Sequence, residues 1–250
     1  MDAKFKEKFL TRWKKYFNNA DLPITFYYTD EAGKAEMAKA GAGPRCIIGG
    51  LVNVQKGQSA AYDVDAVGCP GGKRYLGFVD SLDMPNFEYF LSCGIPGKIE
   101  GERYKKTPEM VKEYMKKQAA TLKAPAKYIV FKRWDKLEAG DKPEVVIFYA
   151  RPDVLSGLYT LAIFDEIEQN TVIAPFGSGC ASIVQYPYAE AKSGKPKAVI
   201  GMFDVSARPF VPEDVLTFAA PMSKFKRMVD NMEESFLITP SWAKVQKRIK

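Results

Sequence analysis

With 250 residues, 46% of them hydrophobic and 27% charged, the chain can bury a large core without cross-links, and its composition excludes disorder and low complexity. Against 30 Asp and Glu it carries 37 Lys and Arg, a formal charge of +7, and it has no histidine. The missing imidazole excludes Ser-His-Asp and Cys-His nucleophile pairs and histidine-based zinc sites, so catalysis would have to use Cys, Asp, Glu, Lys, Tyr, Arg or a cofactor.

Phe5, Phe9, Leu10, Trp13 and Phe17 recur at helical spacing among lysines, which predicts an amphipathic helix over 4–18. Ile24 to Tyr28 is a β-branched and aromatic run, hence a strand. Gly41 to Pro44 breaks the chain before Arg45 and Cys46, and Ile47, Ile48, Leu51, Val52 and Val54 then suggest a helix weakened by Gly49 and Gly50. A short strand over 58–64 feeds the Gly68-Cys69-Pro70-Gly71-Gly72 turn, and 73–78 enters a helix or a further strand. The segment 85–90 leads to a Gly- and Pro-rich loop around Cys93. Thr107-Pro108-Glu109 is a helix start, with a hydroxyl cap, proline first and an acid in the first turn, for a helix reaching about residue 120.

Residues 127–131 and 145–149 read as buried strands, the second followed by Pro152 and a helix through Leu155, Leu158, Leu161 and Ile163. Thr171 to Ile173 is a short strand into a second glycine turn, Gly177-Ser178-Gly179-Cys180, and 198–203 and 216–218 supply further strands. A last long helix carries Met222, Phe225, Met228, Val229, Met232 and Phe236 on one face, the methionines filling core. The sum is an α+β fold over 1–250, a mixed sheet with flanking helices. The Ile24 to Asp30 and Val146 to Asp153 stretches suggest two repeated halves, about 20–120 and 140–236, with Cys69 and Cys180 at equivalent places beside one cleft.

Four cysteines are too few for a disulfide scaffold, and each is either a buried small hydrophobe, a metal ligand or a reactive thiol. Three chemistries remain open. Cys46, Cys69, Cys180 and, less securely, Cys93 are candidate ligands of an iron–sulfur cluster or other soft metal, although no pair makes a Cys-x-x-Cys chelate. Alternatively Cys180 or Cys69 is a catalytic thiol, activated by a helix N-terminus or by Arg45, Lys73 or Arg74, acting on an anionic small molecule. In the third reading Gly71, Gly72, Gly177 and Gly179 cradle an anion through backbone N–H groups without catalysis, though neither turn matches a phosphate-loop or dinucleotide fingerprint. Arg208 before Pro209 is a secondary carboxylate anchor, against a structural ion pair with Asp204.

The basic runs Lys4 to Lys15 and Lys244 to Lys250 read as solvated helix faces, so nucleic acid is not an expected partner. No leader-like segment opens the sequence and no run of eighteen apolar residues follows, which makes cytoplasm the expected location and a membrane span unexpected. Oligomeric state stays open. Taken together, Arg45-Cys46, the Cys69-Pro70-Gly71-Gly72 turn with Tyr75-Leu76-Gly77-Phe78 behind it, and Gly177-Ser178-Gly179-Cys180 resemble the domain of unknown function 169 family over about 27–236. The resemblance implies an archaeal or anaerobic bacterial setting and directs attention to Cys46, Cys69 and Cys180. It carries over no activity.

Overall fold

The structure, a computed structural model, describes residues 1–33, 35–38, 46–82, 84–117 and 122–249. Helix α1 (Ala3–Phe17) starts where the Asp2 carboxylate accepts from Phe5 N–H and buries Phe9, Trp13, Tyr16 and Phe17. Asn18, at φ 54°, turns the chain out of the helix into β1 (Ile24–Thr29). There follow β2 (Glu36–Met37), α2 (Ile47–Gln55), β3 (Ser59–Tyr62), α3 (Pro70–Tyr75), α4 (Phe87–Phe90), α5 (Pro108–Lys117) and β4 (Tyr128–Arg133). The second part contains β5 (Val145–Ala150), α6 (Pro152–Ile163), β6 (Val172–Ile173), a π-helix (Ala181–Gln185), α7 (Tyr186–Ala191), β7 (Ala198–Gly201), a 3-10 turn (Arg208–Phe210), β8 (Leu216–Pro221), α8 (Met222–Asn231) and α9 (Pro240–Gln246). The helix expected to reach residue 120 is described to Lys117, and residues 118–121 lie outside the described set.

One sheet collects the strands in the order β2-β3-β4-β1-β5-β8-β7-β6. Its halves mirror each other. β1 pairs antiparallel with β4 over six residues, β4 with β3 antiparallel, and β3 with β2 parallel. β5 pairs antiparallel with β8 over six residues, β8 with β7 antiparallel, and β7 with β6 parallel. The halves join through β1 and β5, antiparallel across Ile24 to Phe26 and Val145 to Ile147. The fold is therefore α+β with a mixed sheet, and its strand order repeats about a pseudo-twofold axis at the centre.

Strand alternation sorts side chains onto two faces. Ile24, Phe26, Ile129, Phe131, Val145, Ile147 and Ala219 face a core closed by Ile47, Ile48, Leu51 and Val54 of α2, Ile183 and Val184 of the π-helix, and Tyr188 of α7. On the opposite face Val146, Phe148, Ala150, Phe218 and Ala220 meet α1, α6, α8 and α9, which supply Phe9, Trp13, Leu158, Phe225, Met228 and Trp242. Gly157 in α6 is required by this packing, because a Cβ there would lie 2.4 Å from the Trp242 ring. The single long helix expected from Met222 to Phe236 is instead two elements. α8 stops at Asn231, and Ser235 caps a separate 3-10 turn from Phe236 to Ile238 that packs Phe236 on Trp242.

Candidate functional site

The helices on the first face cross between halves reciprocally. α2 of the first half packs on the 3-10 turn of the second, and α3 of the first packs on the π-helix of the second. Each of three cysteines stands at the start of one of these helices. Cys46 is the N-cap of α2 and Cys69 the N-cap of α3, both with extended backbone, and Pro70 occupies the first helical position after Cys69. Cys180 opens the π-helix, a rare helix type that recurs at functional sites. Gly179, just before it, packs tightly: a Cβ would lie 3.0 Å from the Ala207 Cβ and 3.1 Å from the Ile48 side chain, so either neighbour would have to give way by a few tenths of an ångström. The starts of α2 and the π-helix thus abut.

By strand order the equivalent of Cys180, between the edge strand β6 and β7, is Cys46, between β2 and β3. This corrects the pairing of Cys69 with Cys180 expected from the glycine turns. Cys69 follows β3, where the second half has Arg208, and the local sequences agree: Asp63-Val64-Asp65-Ala66 against Asp204-Val205-Ser206-Ala207. Both aspartates make the same turn, Asp63 accepting from Asp65 N–H and Asp204 from Ser206 N–H.

Cys180 is buried, and Cys46 and Cys69 are half-buried. Burial pushes the Cys180 thiol well above its ordinary pKa, and negative charge on Cys46, Cys69 or Asp204 would push it further. Burial also raises Cys46, partly offset by the N–H groups of Ile48 and Gly49 at the start of α2, while charge on Cys69 and Asp204 adds to the rise. No strict cap hydrogen bond reaches the sulfur, so the helix N–H groups act on it at longer range. Burial thus keeps Cys180 a neutral thiol at pH 7.

Asp204 holds the second glycine turn in place. Its Oδ2 accepts from Gly179 N–H at 3.0 Å, and its Oδ1 accepts from the Ser206 hydroxyl at 2.8 Å and the Tyr104 hydroxyl at 3.0 Å. Met202, buried and at φ 70°, provides the sharp exit from β7 that brings Asp204 there, an uncommon conformation for a residue with a side chain. The expected Asp204–Arg208 ion pair does not form: the carboxylate is taken up as above, and the Arg208 guanidinium donates to the carbonyls of Pro212, Glu213 and Val215. Arg208 also lines a cavity of about 840 Å³ with Tyr159, Phe203 and Leu216. Gly179 N–H, expected at an anion, serves Asp204. Gly177 lies against the Tyr186 hydroxyl, Gly71 against Tyr75 and the Cys69 sulfur, and Gly72 against Val67, all close contacts that leave no room for a larger residue at Gly177 or Gly72.

Several buried tyrosines and Arg74 lie within electrostatic reach of the thiols or of one another. Burial raises Tyr62 to about 12, helped by charge on Cys180 and Cys46. Burial likewise raises Tyr75 to about 12, opposed by Arg74 and assisted by Tyr114, Cys180 and Asp204. The Tyr149 hydroxyl, buried beside the same cysteines, has no hydrogen-bond partner among the described residues. Nor has Nη1 of Arg74, also buried, whose charge acts on Tyr75 and Tyr186. Tyr114 and Tyr186 both donate to the Phe176 carbonyl, and the Lys105 ammonium lies 4.6 Å from the Tyr114 ring centre and 5.7 Å from that of Phe176.

Cys93 stands apart. It is exposed and lines a separate cavity of about 510 Å³ with Lys98 and Arg103. Arg45 lies outside the described residues. Among the described residues no group of three or more Cys, Asp or Glu side chains is arranged to hold a metal ion, so the iron–sulfur or soft-metal expectation for Cys46, Cys69, Cys93 and Cys180 finds no ligand set. A family model described as "Uncharacterised ArCR", domain of unknown function 169, matches residues 14–231. The chain belongs to this family. No curated protein and no solved structure matches it. The family match spans both halves of the sheet and all three seam cysteines, and it is to an uncharacterised family. Among the described residues no helix is long and apolar enough to cross a membrane.

Proposed function

We propose that this protein binds an anionic small molecule at the seam of the two halves, against Arg74, Tyr75, Tyr114 and Tyr186, with the cysteines forming the floor. The observation that supports the reading is the buried Nη1 of Arg74, which no described residue accepts from. Leaving a charged donor unsatisfied in a buried place costs more than the 1–3 kcal/mol or so of a neutral group, and an anion supplies what is missing. The Lys105 ammonium adds a second positive charge over the neighbouring aromatic rings. Burial raises the Cys180 and Cys46 thiols, so these two add no negative charge beside the ligand at pH 7.

Thermal unfolding in the presence of inorganic phosphate, sulfate or citrate tests this. A binding anion at one hundred times its Kd stabilises the fold by about 2.7 kcal/mol. The expected result is a concentration-dependent rise in Tm with at least one of the three that Arg74→Gln abolishes. No rise with any of them, or an equal rise in the variant, refutes the reading.

A further inference from the structure

Residues 84–117, within the long connection from α3 to β4, stand outside both cores. Val111 is their one buried apolar side chain, and none of them belongs to the apolar clusters on either face of the sheet. The segment is held by its own bonds instead. Glu102 N–H donates to the Phe90 carbonyl at 2.7 Å, Arg103 N–H to that of Ser92 at 3.0 Å and Lys105 N–H to that of Leu91 at 3.1 Å, while Lys112 on α5 pairs with Glu88 on α4 at 3.2 Å. Its attachments to the rest of the molecule are few and all run one way. Among the described residues every hydrogen bond that leaves the segment involves one of two tyrosine hydroxyls. Tyr104 donates to the Asp204 carboxylate at 3.0 Å and meets the hydroxyl and the N–H of Ser206 at 2.9 and 3.0 Å, and Tyr114 donates to the Phe176 carbonyl at 2.7 Å. The Tyr104 ring also rests on that of Phe176, with centres 5.4 Å apart. A segment of the first half is thus fastened to the second by polar contacts at the seam, and to the very residues, Asp204 and Phe176, that flank the Cys180 turn.

We propose that residues 84–117 are a strap that releases from the seam as a separate cooperative unit, and that its closure completes the anion site. The closure role rests on the anion binding proposed for Arg74; the release does not. A unit with so little buried apolar surface opens at a lower free-energy cost than the sheet strands, because burial sets how much a local opening must disrupt. Tyr75 and Tyr186 pack on the first-face core and stay in place when the strap leaves, as does Arg74 beside Tyr75 on α3. Tyr114 and Lys105 belong to the strap, so release takes away one wall of the site and one of its two positive charges. An anion that engages Arg74 and Lys105 together binds the closed form better than the open one and draws the strap shut, and by linkage a closed strap raises the affinity for the anion by the same factor.

Amide hydrogen exchange of the full-length protein, read by peptide mass spectrometry, tests both parts. Peptides from 84–117 are expected to exchange together and faster than those of β4, β5 and β8. Tyr104→Phe keeps the ring on Phe176 and removes only the hydroxyl; it should speed exchange of 84–117 by about tenfold, the effect of losing a hydrogen bond to a charged group, and leave the three strands unchanged. Of phosphate, sulfate and citrate, the one that raises Tm most, at one hundred times its Kd, should slow exchange of 84–117 by up to about one hundredfold, and should not do so in Arg74→Gln. Exchange of 84–117 at the rate of the strands, or strands accelerated as much as 84–117 in Tyr104→Phe, overturns the strap. A rise in Tm with no slowing of 84–117 beyond that of the strands overturns its role in the site. If none of the three anions changes Tm or exchange, the anion site falls and the closure role with it, while the Tyr104→Phe comparison alone decides whether the strap releases.

Discussion

The two halves share a strand order but cover the outer face of the sheet with different proportions of aromatic and charged side chains. Behind β5 and β8 the outer face is mainly an aromatic layer, in which Phe9, Trp13, Phe148 and Phe225 pack with ring centres 5.0 to 6.3 Å apart under α1, α6, α8 and α9, and its buried lysine, Lys224 of α8, is held by Glu166 and Thr171. Behind β1 and β4 the apolar cluster shrinks to Ala35, Ala61 and Val130, and a charge network takes its place. There Lys132, 5% exposed, donates to Asp141, 6% exposed, at 2.9 Å, and Asp141 also accepts from the Tyr27 hydroxyl and from Glu138 N–H. One topology therefore tolerates two different ways of closing a face, provided each satisfies what it buries.

That difference can be broken from either side. Phe225→Ala removes a ring from the centre of the aromatic layer and is expected to cost about 4 kcal/mol, measured by urea denaturation. Asp141→Asn attacks the other half and leaves the Lys132 ammonium only the more distant Glu138 carboxylate, 3.5 Å away, for a loss of about 3 kcal/mol. It also carries a pH signature that Phe225→Ala lacks. Burial alone would raise the Asp141 carboxyl, but the Glu138 N–H, the Tyr27 hydroxyl and the Lys132 ammonium together hold it below its ordinary value. Its stabilisation is thus fully present above the unfolded carboxylate pKa, near about 4, and is lost as pH falls through the lower folded pKa. Stability against pH should therefore have a shallower acid limb in Asp141→Asn than in the parent; an unchanged limb would mean that the pair does not operate as drawn. The smallest effect sharpens the comparison at the seam itself. Gly179→Ala forces a methyl between Ala207 and Ile48, one from each half, and should cost about 2 kcal/mol, whereas Gly194→Ala, with open space around it, should change stability by less than about 0.5 kcal/mol.

The elements were readable where one physical signal dominated. The aromatic stripe of α1, the apolar runs of β1, β4 and β5, and the Thr107-Pro108-Glu109 start all lead to elements at those places, because local periodicity and burial agree there. The break after Asn231 was missed because the apolar spacing continues through Met232 to Phe236, and the stop depends on Ser235 capping a new turn. The cysteines drew attention through their glycine neighbours, but those glycines mark close packing, as Gly177 on Tyr186 and Gly179 on Ile48 show. The true register of the repeat was visible in Asp63-Val64-Asp65-Ala66 and Asp204-Val205-Ser206-Ala207. It was obscured because the matching turns are followed by Val67-Gly68-Cys69-Pro70 in one half and directly by Arg208-Pro209 in the other. Arg74 and the tyrosines gave no sequence signal of a site, since their convergence depends on crossings between halves that are far apart along the chain.

The join between β1 and β5 rests on three residue pairs, from Ile24 opposite Ile147 to Phe26 opposite Val145. Each half, if released from the other, would present at that line an uncapped strand, Ile-Thr-Phe-Tyr-Tyr-Thr or Val-Val-Ile-Phe-Tyr-Ala, without a charge or a proline to deter further pairing. Proteolysis in the exposed 138–140 segment would free these edges only if α1, α2 and α3 also came away from the second half on which they pack. The connection that lets the halves share a seam is also what keeps an aggregation-prone strand on each side permanently occupied.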